Sequence, residues 1–267
     1  MTERVESVAA VLDGKGLPHG LRRGDWVARP AASLPPQAIV EGLAVQFGGQ
    51  GLGQATVLHR TGASVAGGRL VANVHGPGCT IILDAAASKR APAIVLHVYT
   101  RDALIYLNLD DLQPVEARPL HLQVTFYNGA GQFFYWGEGA SSVDTRCVID
   151  GPDRSVTVGR DAMLSNDVYL RTHDGHALID LGSREILNPG GDIDIGPHVW
   201  IAQEVLVLGP AEIGAGAVVG AKSMLKGVVP PRSVAAGVPA RVVRENVSWG
   251  RVPNSLQFVD EEWKGLW

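Results

Sequence analysis

Residues 195–225 read IGPHVWIAQEVLVLGPAEIGAGAVVGAKSML, and the spacing of their aliphatic side chains decides the fold class. Aliphatic residues stand at Ile195, Ile201, Val207, Ile213, Val219 and Leu225, a period of six without a miss. Val199, Val205, Ala211, Ala217 and Ser223 follow four positions after the first five, and small residues accumulate among them. With roughly three residues in ten aliphatic, six consecutive hits in one register arise by chance at about one in a thousand. A period of six is neither that of a helix nor that of an ordinary strand. It marks a short flat strand plus a corner, recurring so that one aliphatic per face points inward. Gly196, Gly214 and Gly220 follow the inward residue, where a corner needs either positive φ or a missing side chain. Val158, Leu164 and Leu170 keep the same step upstream, and Val143 and Ile149 extend it backwards.

The two blocks are separated by 25 residues, Leu170 to Ile195, which is four hexads plus one. The register therefore slips, and an excursion leaves the repeat. It contains Arg171, Thr172, His173, Asp174, Gly175 and His176, a base and a carboxylate with little apolar content. Loops held by a rigid scaffold are where catalytic groups usually sit.

The rest of the 267-residue chain sets bounds. With 46% hydrophobic and 19% charged residues it folds as one large domain or two small ones, and a net charge of -4 gives no footprint for nucleic acid or an anionic membrane. Cys79 and Cys147 are too few and too far apart for a disulfide scaffold or zinc knuckle and read as reduced, buried thiols. Residues 1–13 carry Glu3, Arg4 and Glu6 and no apolar core, so they are not a secretory signal, and no run approaches a membrane span. A cytoplasmic protein is expected. Val5, Val8, Ala9 and Leu12 predict a short amphipathic helix stopped by Gly14. Residues 22–36, rich in Pro and Arg, read as loop, and the glycine run 48–53 lacks the Lys-Ser/Thr of a phosphate loop and reads as a turn.

Short runs rich in β-branched and aromatic residues at 70–74, 80–83, 94–99 and 104–107 predict strands. Leu120, Leu122, Val124 and Phe126 alternate strictly ahead of a turn at 128–131 and the aromatic run 133–136. His59, His75, His97 and His121 are scattered among these strands and read as structural. The chain is thus expected to be all-β, with a β-rich N-terminal cap (1–140) continuous with a repeat domain (141–249) and a tail (250–267).

The repeat resembles that of the hexapeptide-repeat acyltransferases, [Leu/Ile/Val]-[Gly/Ala/Asp]-x-x-[small]-x. The resemblance implies a left-handed parallel β-helix in which three hexads make a coil and three subunits pack around a threefold axis. Within that superfamily, Thr172-His173-Asp174-Gly175-His176 followed by Ile195-Gly196-Pro197-His198-Val199-Trp200-Ile201-Ala202 is similar to the O-acetyltransferase pattern, which has Gly where this chain has Ala202. It implies an acetyl-CoA-dependent O-acetyltransferase acting on a saccharide, with His176 as the catalytic base and Trp200 lining the acceptor and acetyl pocket. A neutral imidazole suits removal of a proton from an alcohol at physiological pH and its return to the leaving thiolate. Asp174 or, equally, a backbone carbonyl would fix the tautomer of His176, His173 and Asn166 are candidates for the acceptor, and the backbone at Ala202 and Gln203 is the candidate oxyanion donor. Asp150, Asp153 and Asp167 would bind sugar hydroxyls equally well or simply fill corners.

Residues 229–244, VPPRSVAAGVPARVVR, resemble the segment that ends the family's β-helix and holds coenzyme A. Arg241 and Arg244 are then candidates for its phosphates, Ala221 for close approach of the pantetheine arm, and Lys222 and Lys226 for a basic rim. No metal is implied. The alternatives are an N-acyltransferase on an amino sugar, a scaffold without catalysis, and a zinc site of the γ-carbonic-anhydrase type on His173, His176 and His198. The last conflicts with Gln203, which stands where that family's third ligand would be.

Overall fold

The computed structural model describes residues 2–21, 26–35, 38–62, 64–111 and 118–254. Its strands stack in parallel into a left-handed β-helix with three faces. On the first face Leu43–Gly48, Arg69–Val74, Ala93–Val98 and Leu120–Tyr127 pair in succession. Residues 145–148, Val168–Arg171, 206–208 and 224–225 continue that face. The second face stacks Thr56–Arg60, Thr80–Asp84, Leu104–Asn108, Phe133–Trp136, Ser155–Val158, Ile193–Ile195, 211–213 and 227–229. The third carries two-residue strands at 141–142, Met163–Leu164, Trp200–Ile201, Val218–Val219 and 234–235. The parallel ladder crosses residue 140 unbroken, because Phe133–Trp136 pairs with Leu104–Asn108 on one side and Ser155–Val158 on the other.

Coil length explains why the two halves read differently. Trp200 stands opposite Val218, a step of 18, whereas Thr56 stands opposite Thr80 and Thr80 opposite Leu104, steps of 24. The longer coils carry first-face strands of six or more residues whose side chains alternate in and out. A period of two therefore replaces the period of six.

Every residue of the hexad series from Val158 to Leu225 is buried in one continuous core, each contributing about 1.5–3 kcal/mol of burial. Ile149 belongs to it, but Val143 does not: it lies exposed outside the core. Gly196, Gly214 and Gly220 do not have positive φ. The missing side chain is what their corners require, since a Cβ on Gly214 would lie 2.4 Å from the Pro231 nitrogen. The left-handed conformation falls two residues after each, at His198, Gly216 and Lys222.

The helix Thr2–Gly14 forms as its spacing predicts and lays Val8, Ala9 and Leu12 on the second face, against Leu58, Ile82, Tyr106, Phe133 and Tyr135. Strands 80–84 and 133–136 are therefore buried on both sides. Buried Asp84 accepts from Arg60 at 2.6 Å, from the Gly20 amide at 2.9 Å and from the Tyr106 hydroxyl. Within the region expected to be loop, Trp26–Pro30 is a strand, added antiparallel to Thr56–Arg60; residues 22–25 and 36–37 lie outside the described residues. An edge strand tolerates the proline that made this segment read as loop. Both cysteines are buried, which pushes their thiols up and leaves them unreactive. Among the described residues no helix is long and apolar enough to cross a membrane.

Candidate active site

The prism has three corners, and the predicted site residues divide between them. The excursion leaves the corner between the first and second faces. Ile193 pairs with Val156, a step of 37 where the following coil takes 18, so residues 172–192 stand outside the ladder. The Thr172 hydroxyl ties the base of this loop to the coil above, accepting from the Asp150 amide at 2.8 Å and donating to its carbonyl at 3.0 Å.

Asn188 braces the loop from within. Its amide nitrogen donates to the His176 carbonyl at 2.9 Å and to the Asp174 carboxylate at 3.0 Å, while its oxygen accepts from the Leu178 amide at 2.6 Å. The loop backbone is thus fixed around His176, whose residue is exposed. His173 turns back on the loop, its Nδ1 accepting from the Gly175 amide at 2.9 Å, and lines a cleft with Asn128, Asp150, Arg154 and Pro189. Nothing in the sequence marked Asn188, because a single side-chain amide in a loop has no periodic or motif signature.

The second set lies on the corner between the third and first faces. Asn166, Gln203 and Ala221 hold equivalent places in successive coils there, with the Asn166 carbonyl accepting from the Glu204 amide at 3.0 Å and the Gln203 carbonyl from the Lys222 amide at 2.9 Å. Asp167, Glu204 and Lys222 share a left-handed conformation, one per coil. Side chains along this edge are small: Ala202, Gly220, exposed Ala221, then Ala236, which a Cβ on Gly220 would meet at 3.0 Å. The closing hairpin pairs Ala236 with Arg241 at the end of this column and Val234 with Arg244 on the third face beside it, and both arginines are exposed. A narrow track of small residues ending in two guanidinium groups fits a thin acyl-carrying arm with phosphates at its far end. Exposed Lys226 lies on the adjacent first face, and Lys222 reaches Glu204 at 3.6 Å.

Ala202 does not supply the oxyanion donor expected at this corner. The Ala202 amide donates to the Val219 carbonyl at 2.9 Å, as ladder pairing requires, and is not free to meet an oxyanion; Gln203 follows it at the turn, outside the ladder. Trp200 lies on the third face, away from the His176 corner of the same chain, with the ring of Trp249 5.9 Å from its own.

The third corner holds His198, which donates from Nδ1 to Asp161 at 2.7 Å and from Nε2 to the Trp249 carbonyl at 3.0 Å. With both ring nitrogens engaged and the residue buried, His198 cannot join His173 and His176 around zinc. Among the described residues no group of three or more His, Cys, Asp or Glu side chains is placed to hold a metal ion.

No family model matches the chain. It is 32% identical over 126 residues to the polysialic acid O-acetyltransferase of Escherichia coli O1:K1 / APEC, covering 47% of this chain and 39% of that protein. It is 36% identical over 95 residues to the galactoside O-acetyltransferase of Escherichia coli K12, covering 35% and 45%. The chain thus spans less than half the length of these curated relatives. Across 84% of this chain and 99% of the other, the fold is that of the polysialic acid O-acetyltransferase OatWY, with a TM-score of 0.53 and 22% sequence identity. In sequence the chain is thus similar to these O-acetyltransferases over the stretches given, and in fold to OatWY.

Proposed function

We propose that the chain is an acetyl-CoA-dependent O-acetyltransferase that acetylates a hydroxyl of a saccharide in the cytoplasm, working as a homotrimer. The observation that carries this reading is the division of the site between corners. His176 is held out on one edge of the prism, and the small-residue track with Arg241 and Arg244 lies along another. One chain alone does not bring them together, whereas threefold packing lets the loop corner of one copy meet the track of the next. The loop supports such packing: Leu178, Ile179, Leu181, Ile186 and Leu187 are all exposed in the single chain, Leu181 at 93%. Five large apolar side chains on one loop call for a covering surface.

In this reading the acyl donor lies along the track, with Arg241 and Arg244 meeting its phosphates and the Gln203 amide turned toward the carbonyl oxygen. His176 removes the acceptor hydroxyl proton as that oxygen attacks the thioester carbonyl, then delivers it to the departing sulfur. Asp174, bonded to the Asn188 that also fixes the His176 backbone, orients the imidazole from the same loop. His173, Asn166 and Trp200 contact the acceptor and the acetyl group. The same base would serve an amino acceptor; the names of the relatives favour a hydroxyl.

Light scattering at micromolar concentration should give the mass of three copies, and a monomer at that concentration would overturn the shared site. Calorimetric titration with acetyl-CoA should show saturable binding by the intact protein. Arg241→Ala with Arg244→Ala should weaken it about tenfold or more through loss of charge-assisted contacts. Unchanged affinity in that variant would remove the two arginines from the donor site.

A further inference from the structure

A column of aromatic rings climbs the corner from which the loop leaves. His75, Tyr99 and Tyr127 occupy equivalent positions in three successive coils, with ring centroids 4.9 and 5.2 Å apart and planes within 9° of parallel. That spacing matches the strand-to-strand rise, so each ring covers the face of the next. The residue opposite Tyr127 in the following coil is Asp150, not a fourth ring, and Asp150 is the residue bonded to Thr172 at the base of the loop. The stack therefore stops one coil short of the loop, and one face of Tyr127 opens onto a cleft of about 330 Å³. Tyr99 and Tyr127 are 48% and 40% exposed, so the column is an outer edge and not core.

The walls of that cleft are polar and carry excess positive charge. Arg146 stands opposite Gln123 on one side and Tyr169 on the other, and Arg171 stands opposite Val148 in the neighbouring outward column. Arg171 lies over the Tyr169 ring and donates to the His173 carbonyl at 3.2 Å; no carboxylate pairs with either guanidinium among the described residues. Asp150 accepts from Asn128 at 3.0 Å through one oxygen. An aromatic face, one carboxylate and two guanidinium groups with no carboxylate partner among the described residues are the complement of a flat ring with C–H bonds on one face, hydroxyls at its rim and an anionic substituent.

We propose that this gap is a subsite for a carboxylate-bearing pyranose, the sugar next to the one acetylated in an acidic saccharide chain. This rests on the saccharide acetyltransferase reading above. The C–H face of the pyranose packs on Tyr127, where the ring face is electron-rich. Arg146 and Arg171 hold the carboxylate, and the free Asp150 oxygen accepts from a ring hydroxyl. The chain then continues up the corner past the hydroxyl edges of Tyr127 and Tyr99 to His75. Two coil steps separate Tyr127 from His75, about 10 Å at 4.8 Å each, so the acceptor is an oligomer and not a single sugar.

The test is calorimetric titration of the full chain, without acetyl-CoA, against a sialic acid tetramer and the same tetramer with its carboxyls reduced to alcohols. The acidic tetramer should bind at least about tenfold more tightly than the reduced one, the size expected for a charge-assisted contact. Arg146→Gln, at an exposed position, should abolish that preference, Tyr127→Ala should weaken both tetramers, and Tyr127→Phe should bind as the unaltered protein does. Equal affinity for the two tetramers, no binding of the acidic one, or Arg146→Gln and Tyr127→Ala variants indistinguishable from the parent would overturn the subsite. Acetylation of a neutral sugar alongside any of those results would leave the transferase reading standing. Binding as expected by a protein that neither takes up acetyl-CoA nor transfers acetyl would overturn the transferase reading and keep the subsite.

Discussion

Replacing His176 with alanine should lower acetyl transfer about 10²–10⁴-fold, the usual worth of a positioned general base. The dissociation constant for acetyl-CoA should stay within about twofold. The two readouts separate because the groups they report lie on different corners: His176 is on the loop braced by Asn188, and the small-residue track proposed for the donor runs from Ala202 to Arg241. The loop's own bonds are made by the His176 carbonyl, by Asp174 and by Asn188, so removing the imidazole leaves them intact. The fall should therefore appear in kcat with folding unchanged, measured as thiol release with and without acceptor and checked by thermal melting. Turnover within about tenfold of the parent would be too small a loss for a base and would remove His176 from the mechanism. A joint loss of turnover and acetyl-CoA affinity would place the imidazole in the donor site instead.

The hexad register from Val158 to Leu225 was legible because each of its residues does one job in an identical coil; all of them are buried. The helix Thr2–Gly14 was legible for the same reason, an apolar stripe at helical spacing that meets Leu58, Ile82 and Tyr106. The first half hid its membership of the same β-helix because its coils vary from 24 to 29 residues and its strands alternate with a period of two, which any sheet would produce. On the loop, motif spacing pointed to His176, but no local pattern could announce Asn188, whose value lies in joining residues 12 and 14 positions away. The aromatic column is equally silent in one dimension. Tyr99 and Tyr127 stand 28 residues apart and meet only once the coil length between them is known. The reading of Ala202 as an oxyanion donor failed through hydrogen-bond accounting: an amide beside a ladder strand goes to the next coil before it goes to a ligand.

Asp161→Ala should cost about 3–5 kcal/mol of stability at pH 7, the range for breaking a buried ion pair by removing one partner. Asp161 is almost wholly buried at the corner between the second and third faces, in a left-handed conformation. It accepts from His198 at 2.7 Å, from Arg118 at 2.5 Å and from Arg251 at 3.1 Å. His198 in turn stacks on Trp249 with centroids 4.1 Å apart and accepts from the Trp249 indole through its carbonyl at 2.7 Å. One carboxylate thus latches the segment around residues 249–251 across the third face, beside Trp200. Its loss leaves two guanidinium groups without their counter-charge, and burial already pulls Arg251 down to about 10. Burial alone would raise the Asp161 carboxyl, but the His198 hydrogen bond and the charges of Arg251 and Arg118 outweigh it and hold the group below the ordinary carboxylate range. A carboxyl depressed in the folded state stabilises above its unfolded value, near 3.9, and that contribution is lost as pH falls through the depressed value. Denaturant midpoints of the parent should therefore include an Asp161 contribution that holds from neutrality down to about pH 4 and disappears below it. Asp161→Asn should start lower at pH 7 and lose less on acidification, since it has no proton to take up. Parallel pH curves for the two proteins would show that the latch is not held by charge.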